Sequence, residues 1–270
     1  MLPAHASSSH ALTADAESMP FASESAGSVP KVALITGGAR RLGAAMTRVL
    51  HAAGLQVVLH YRHSGAEAAQ LAAELNALRP HSVHCLAADL LDLAALSRLA
   101  TAAEAVHGRL DFLVNNASTY YPTPLGQWSA AAWEDLIGTN FKAPLFLTQA
   151  CAPAICAAGG AVVNIVDIHA QRPPREYALY ASAKAGLWAA TLALAQELAP
   201  RARVNGVAPG AILMPEDTAN VAGHADMLQR TPLGREGQPQ DIARTVRFLL
   251  LDAPYITGQI LAVDGGRSLR

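Results

Sequence analysis

Tyr180 and Lys184 stand four residues apart in the run Tyr180-Ala181-Ser182-Ala183-Lys184, and Asp167 lies thirteen positions upstream at the end of an apolar run. On a helix, residues i and i+4 project from one face. A lysine ammonium beside a phenol favours the phenolate and draws the tyrosine pKa down from its ordinary value of about 10. A tyrosine so perturbed can donate a proton near neutral pH. Such a pair also arises by chance on an alanine-rich surface helix, so its surroundings decide what it does.

Upstream, Thr36-Gly37-Gly38-Ala39-Arg40-Arg41-Leu42-Gly43 follows an apolar run and opens directly into a helical pattern. Glycines there let the backbone approach a pyrophosphate, which the free N–H groups and dipole of the helix N-terminus stabilise. The second apolar run ends in His60-Tyr61-Arg62-His63-Ser64, with no acidic residue between Gly54 and Glu67. An NAD site would place Asp or Glu here for the ribose 2′-hydroxyl, whereas arginine accommodates a 2′-phosphate. Arg62 and Ser64, with His63 and Arg40 as further contacts, therefore predict NADPH. Asp89, in Ala88-Asp89-Leu90, is placed to accept from the adenine amino group, and Asn115-Asn116-Ala117 to fix a backbone loop beside the cofactor. Asn140, inside a predicted helix, is expected to hold a carbonyl or water near Lys184.

These groups need a frame that gathers them along one edge. Short apolar runs at 31–35, 56–61, 82–86, 111–114, 161–166, 203–207 and 259–263 alternate with helical stretches at 41–53, 65–78, 93–106, 130–137, 139–156, 177–198 and 239–251. Strands that are apolar throughout, alternating with helices, predict a parallel sheet covered on both faces. The expected fold class is α/β: a single doubly wound Rossmann-type domain over residues 30–270, with a seven-stranded parallel sheet and ligands beyond the carboxyl ends of its strands. Residues 211–238 form the longest poorly periodic stretch of this body and are expected to be a substrate loop or lid.

Residues 1–29 are rich in Ser, Ala and His, carry no apolar periodicity and are expected to be a disordered extension. They lack the charged and apolar regions of a secretory signal and the arginines of a transit peptide, and no run approaches an 18-residue apolar span, so a soluble, cytoplasmic protein is expected. A net charge of -1 gives no global field toward nucleic acid or an anionic membrane. Cys85, Cys151 and Cys156 have no CxxC spacing, and the histidines form no HExxH or Cys/His cluster, so no metal site is expected.

In order and spacing, Thr36–Gly43, Asp89, Asn115–Ala117, Asn140, the Tyr180/Lys184 pair and Asn205-Gly206-Val207-Ala208-Pro209-Gly210 resemble the short-chain dehydrogenase/reductase family, over about residues 31–270. The resemblance implies that Tyr180 is the proton donor, that Lys184 holds the nicotinamide ribose and lowers the Tyr180 pKa, and that Asn140 supports a relay water. It further implies cofactor contacts from Gly37, Arg40, Arg41, Leu42, Gly43, His60, Tyr61, Arg62, His63, Ser64, Asp89, Leu90, Asn116, Ala117, Ser118, Pro209 and Gly210.

Two departures from the common pattern narrow the substrate. Arg41 replaces a glycine, and Asp167 replaces the serine that binds a substrate carbonyl. A hydroxyl donates to a ketone oxygen; an ionised carboxylate cannot, and it repels a developing alkoxide. Asp167 is suited instead to accept from substrate N–H groups, or to pass a proton, which points to a nitrogen heterocycle. This combination resembles the pteridine reductases, as do Leu59-His60-Tyr61, the run from Asn116 to Leu125 and Val263-Asp264-Gly265-Gly266. That likeness implies that Tyr120, in place of an expected phenylalanine, stacks over the pterin with the nicotinamide on its other side. It also implies that Ser118 bonds the pterin ring and that Arg41 reaches the phosphates and the pterin edge. The implied activity is NADPH-dependent reduction of a C=N bond in a dihydropterin or dihydrofolate, by a homotetramer joined through helices 139–156 and 177–198. The rival readings are a carbonyl reductase acting on 3-oxoacyl thioesters or sugars, and a non-catalytic NADPH sensor.

Overall fold

Seven apolar strands pair in parallel in the order β3-β2-β1-β4-β5-β6-β7 in the computed structural model, which describes residues 29–212 and 227–269. The expected extension at 1–29 therefore falls outside the described residues except for Val29, as does the centre of the 211–238 loop. The strands are β1 (Val32–Ile35), β2 (Gln56–Tyr61), β3 (Val83–Ala87), β4 (Phe112–Asn115), β5 (Ala161–Ile165), β6 (Arg203–Pro209) and β7 (Ile260–Val263). The helices are α1 (Arg41–Ala52), α2 (Gly65–Leu78), α3 (Leu93–His107), α4 (Ala130–Ile137), α5 (Ala143–Ala157), α6 (Ala178–Leu198) and α7 (Pro239–Arg247).

Successive strand side chains point to opposite faces, both covered by helices, which is why the central strands are apolar at most positions, Asn115, Asn164 and Asn205 excepted. In β1, Ala33 and Ile35 enter one core with Met46 and Leu50 of α1, Leu71 and Leu75 of α2, and Ile242 and Val246 of α7. Val32 and Leu34 enter the other core, with Leu96 and Leu99 of α3, Leu147 and Ile155 of α5, and Ala195 of α6. Each fully buried Leu or Ile contributes about 1.5–3 kcal/mol. Cys151 belongs to the second core, and burial pushes its thiol up to about 12. By length and mean hydropathy α6 would suit a bilayer, yet it packs against α4, α5 and β6, and its buried face carries Tyr180 and Lys184.

Two local differences from the sequence expectation affect the site. Helices α4 and α5 are joined by a π-helical turn at Gly138–Lys142, where separate helices were expected. Pro144 lacks the N–H that an α-helix would direct to the Asn140 carbonyl, so the regular ladder cannot continue through this point. Strand β6 runs two residues further than expected, to Pro209.

Candidate active site

The chain crosses to opposite sides of β1 after β3, so the connections after β1 and β4 diverge and leave a crevice at the carboxyl ends. The glycine-rich turn lines it. Gly37 has φ of +61°, and a side chain on Gly43 would overlap the Gly37 carbonyl oxygen, so the helix start can close on the turn only with glycine there. Arg41 also adopts a positive φ of +50°, a conformation that disfavours side chains by about 1–2 kcal/mol. The turn is tied to the end of β4. Thr36 Oγ1 accepts from the Asn116 and Ala117 N–H groups at 2.9 and 3.0 Å, and Asn116 Nδ2 donates to the Thr36 and Gly37 carbonyls.

His60 is placed differently from the expected cofactor contact. Its imidazole is buried beneath the turn, where Nδ1 accepts from Gly37 N–H at 3.2 Å and Nε2 lies 3.1 Å from the Ala88 carbonyl. Burial lowers its pKa, which keeps the neutral tautomer that these two bonds require. His60 thus shapes the cradle. Tyr61 packs its ring beside Gly65 and against the first core while remaining partly exposed, and the Leu90 side chain is in the second. Leu42 is partly buried against the first core as well.

Beyond the cradle, Arg40, Arg62 and His63 are exposed around Ser64 at the end of β2. Arg62 Nη2 pairs with Asp89 Oδ2 at 3.0 Å, and Asp89 Oδ1 accepts from Leu91 N–H. Asp89, expected to face adenine, is engaged in orienting Arg62. Arg40 lies 3.7 Å from Glu67. Both guanidiniums sit where a 2′-phosphate would replace a carboxylate as partner. Pro209 ends β6, and a Cβ on Gly210 would meet the backbone of Asp264, so the chain passes the crevice closely there. The glycine cradle, the helix N-terminus and the basic rim fit a phosphorylated dinucleotide.

At the other end of the crevice, Tyr180 Oη donates to Asp167 Oδ2 at 2.6 Å. Both are brought together by α6 packing on the turn after β5. The fully buried Lys184 Nζ donates to the Ile165 carbonyl at 2.9 Å and lies 5.8 Å from the centre of the Tyr180 ring. The expected lowering of the Tyr180 pKa is not what this arrangement produces. Burial and the adjacent Asp167 carboxylate raise it, opposed only by hydrogen bonding to the Ser118 hydroxyl. A phenol that already donates to a carboxylate loses its proton with difficulty. Desolvation brings Lys184 down to about 8, with Asp167 opposing that shift.

Asn140 is fully buried in the π-helical turn. Its Nδ2 donates to the Thr119 and Leu136 carbonyls, both at 2.9 Å, and its Oδ1 accepts from Ser118 Oγ at 2.6 Å. The amide therefore anchors the Ser118–Thr119 loop. Deeper in the core, Asn115 Nδ2 donates to Asn164 Oδ1 at 2.8 Å, and Asn164 Nδ2 donates to Thr191 Oγ1 at 2.9 Å. This chain of buried bonds ties β4 and β5 to α6.

Tyr120, 51% exposed, edges onto Tyr180 with ring centres 4.7 Å apart. Its face stacks on Tyr177 at 4.6 Å and 17°. Tyr177 was not anticipated; it is the residue that immediately precedes α6, three positions before Tyr180, and this nearness in sequence was the available signal. His169, two residues after Asp167, was also missed, and its Nδ1 lies 3.4 Å from Asp167 Oδ1. A separate cavity of about 280 Å³ at the amino ends of the strands, lined by Lys31, Asp111 and Arg203 among others, contains none of these groups.

A family model described as enoyl-(acyl carrier protein) reductase matches residues 37–268. The chain is 37% identical over 279 residues to pteridine reductase 1 of Leishmania tarentolae, covering 88% of this chain and 96% of that protein. It is 38% identical over 242 residues to an uncharacterised oxidoreductase of Mycobacterium tuberculosis, covering 87% and 91%. With a 3-oxoacyl-[acyl-carrier-protein] reductase of Synechocystis it shares 34% identity over 240 residues, covering 87% and 96%.

Proposed function

Because the chain belongs to the short-chain dehydrogenase/reductase family and is an NADP(H)-dependent oxidoreductase, we propose that its substrate is a dihydropteridine, a dihydropterin or dihydrofolate, reduced at a C=N bond. The observation that carries this reading is the 2.6 Å bond from Tyr180 to Asp167. Where a carbonyl reductase needs a donor hydroxyl beside the tyrosine, this site has an acceptor. A pteridine ring presents N–H groups that such an acceptor binds. The likeness to pteridine reductase 1 supports the same choice.

Bound in the crevice, NADPH supplies hydride to the ring carbon. Gly37, Gly43, Arg41, Asn116, Ala117 and Gly210 would bound its phosphates and nicotinamide, and Arg40, Arg62, His63 and Ser64 its 2′-phosphate. Tyr180 holds the proton for the ring nitrogen, Asp167 keeps it in place, and Lys184 presents a buried ammonium beside the phenol. Tyr120 offers the flat face for the substrate ring, with Tyr177 fixing its tilt. Ser118, held by Asn140, adds a hydroxyl at the ring edge. Assembly as a homotetramer is supported by Phe146 and Leu192, exposed apolar residues on α5 and α6; light scattering tests it.

The second reading is reduction of a 3-oxoacyl thioester. The Synechocystis relative's name favours it, and the description of the matching family model also names an acyl-carrier-protein substrate, though for enoyl rather than 3-oxoacyl reduction. Steady-state NADPH oxidation with dihydrobiopterin, dihydromonapterin and dihydrofolate, set against an acetoacetyl thioester, separates the two. Turnover of the thioester alone overturns the pteridine reading, and NADPH binding with no turnover of any favours a sensor.

A further inference from the structure

The turn after β5 carries a group that the proposed chemistry leaves without a task. His169 Nδ1 is buried and has no hydrogen-bond partner, although it stands 3.4 Å from Asp167 Oδ1, out of line for a bond. The rest of the side chain reaches the surface, with 22% of it exposed. The turn keeps the two residues in register, because His169 N–H donates to Asp167 Oδ1 at 2.8 Å and Ala170 N–H to the Asp167 carbonyl at 3.1 Å. Asp167 Oδ2, the other carboxylate oxygen, accepts from Tyr180. The carboxylate, its own side chain 19% exposed, therefore lies between a buried phenol and an imidazole that also opens toward solvent.

We propose that His169 is the proton-entry residue of this site, passing protons from solvent through the two oxygens of Asp167 to Tyr180. The inference rests on the reading of Tyr180 as proton donor. When Tyr180 gives its Oη proton to the substrate, a phenolate remains. The protonated imidazole then breaks its Nδ1–H bond as Asp167 Oδ1 gains that hydrogen. A turn of the carboxyl group presents the hydrogen to the phenolate, which recovers its O–H bond while Asp167 returns to the carboxylate. The neutral imidazole is reprotonated by water, so one proton enters for each hydride transferred, and no electrons move in the relay. The direction is downhill overall, since a phenolate is a far stronger base than imidazole.

Among the described residues, the ionisable groups that face Asp167 besides His169 are Tyr180 and Lys184 from α6 and Tyr120 from the loop after β4. Lys184 is sealed in the core and donates to Ile165, and the Tyr120 phenol is held protonated by burial and by Tyr177. Among the described residues around the carboxylate, His169 is the imidazole, and part of its side chain reaches the surface.

The test compares His169→Gln and His169→Phe with the wild type. Both a dihydropterin and an acetoacetyl thioester are used, and each variant is expressed as a ratio to wild type on whichever substrate turns over. Failure of the pterin alone then bears on the substrate, and a changed ratio bears on the relay. Both variants should lose roughly ten- to a hundredfold in kcat, with KM for NADPH nearly unchanged. The pH profile of kcat should differ between wild type and both variants, and free imidazole in the buffer should restore the rate. A kcat within about twofold of wild type, or a loss that imidazole does not restore, overturns the relay. Independently of turnover, a double-mutant cycle of melting temperature with Asp167→Asn should show coupling that is larger at acid than at alkaline pH. No coupling at either pH also overturns it.

Discussion

Lys184→Met isolates the consequence of sealing an ammonium in the core. The side chain is fully buried, and desolvation moves its pKa from 10.5 to about 8. That shift corresponds to about 3 kcal/mol of folded-state penalty on the charged form. The sign follows from proton counts. Between about pH 8 and 10.5 the unfolded chain binds the lysine proton and the folded chain has released it, so wild-type stability gains from this group as pH rises. Its contribution is fully present above 10.5 and lost as pH falls through about 8. Methionine has no such dependence. At neutral pH its gain from avoiding desolvation is offset by leaving the Ile165 carbonyl without its 2.9 Å donor, a loss of about 1–3 kcal/mol. The neutral-pH difference is therefore small, and the pH dependence is the decisive quantity. Urea denaturation of both proteins from about pH 7.5 to 10.5 should show wild type gaining about 3 kcal/mol relative to Lys184→Met, with general alkaline effects cancelling in the difference. A difference that moves by less than about 1 kcal/mol would refute the buried-ammonium account. The same variant should lose at least about a hundredfold in kcat, so a protein of comparable neutral-pH stability would be nearly inactive.

Three further perturbations probe the rest of the crevice. His60→Phe strands the Gly37 N–H and Ala88 carbonyl, costing roughly 1–3 kcal/mol each, and should lower both melting temperature and NADPH affinity; His60→Asn, which keeps an acceptor near Gly37, should recover part of both. Because burial lowers the His60 pKa, its contribution is full above about pH 6.5 and lost as pH falls through the folded-state value, so the acid-side loss in melting temperature should be shallower in His60→Asn. Arg62→Ala should weaken NADPH roughly tenfold or more by calorimetry while leaving NADH nearly unchanged, and an equal loss for both would remove Arg62 from the 2′-phosphate. Asp167→Ser should abolish dihydropterin reduction while NADPH affinity stays within about twofold, and ultraviolet difference titration should find the Tyr180 phenol ionising at lower pH once the carboxylate is gone.

The seven apolar runs, the glycine-rich turn and the order of the polar motifs were legible in the sequence because each depends on local periodicity. Strand alternation, helix spacing and positive-φ glycines act over a few residues and read directly as elements, and those elements alternate in the way a parallel sheet requires. The same logic put Tyr180 and Lys184 on one helix face and marked Asp167 as the departure that narrows the substrate. Only the tertiary structure decided what those groups do to one another. The Tyr180 pKa turns on a 2.6 Å contact with a residue from another element and on burial by both, so its direction was the reverse of what the lysine spacing suggested. That His60 accepts from the Gly37 N–H and Asp89 pairs with the Arg62 guanidinium was not legible, because a position at a strand end says nothing about which groups from other elements reach the side chain. Distances between elements are set by how two cores pack around the sheet, and at this site those distances determine which protons are held and which can move.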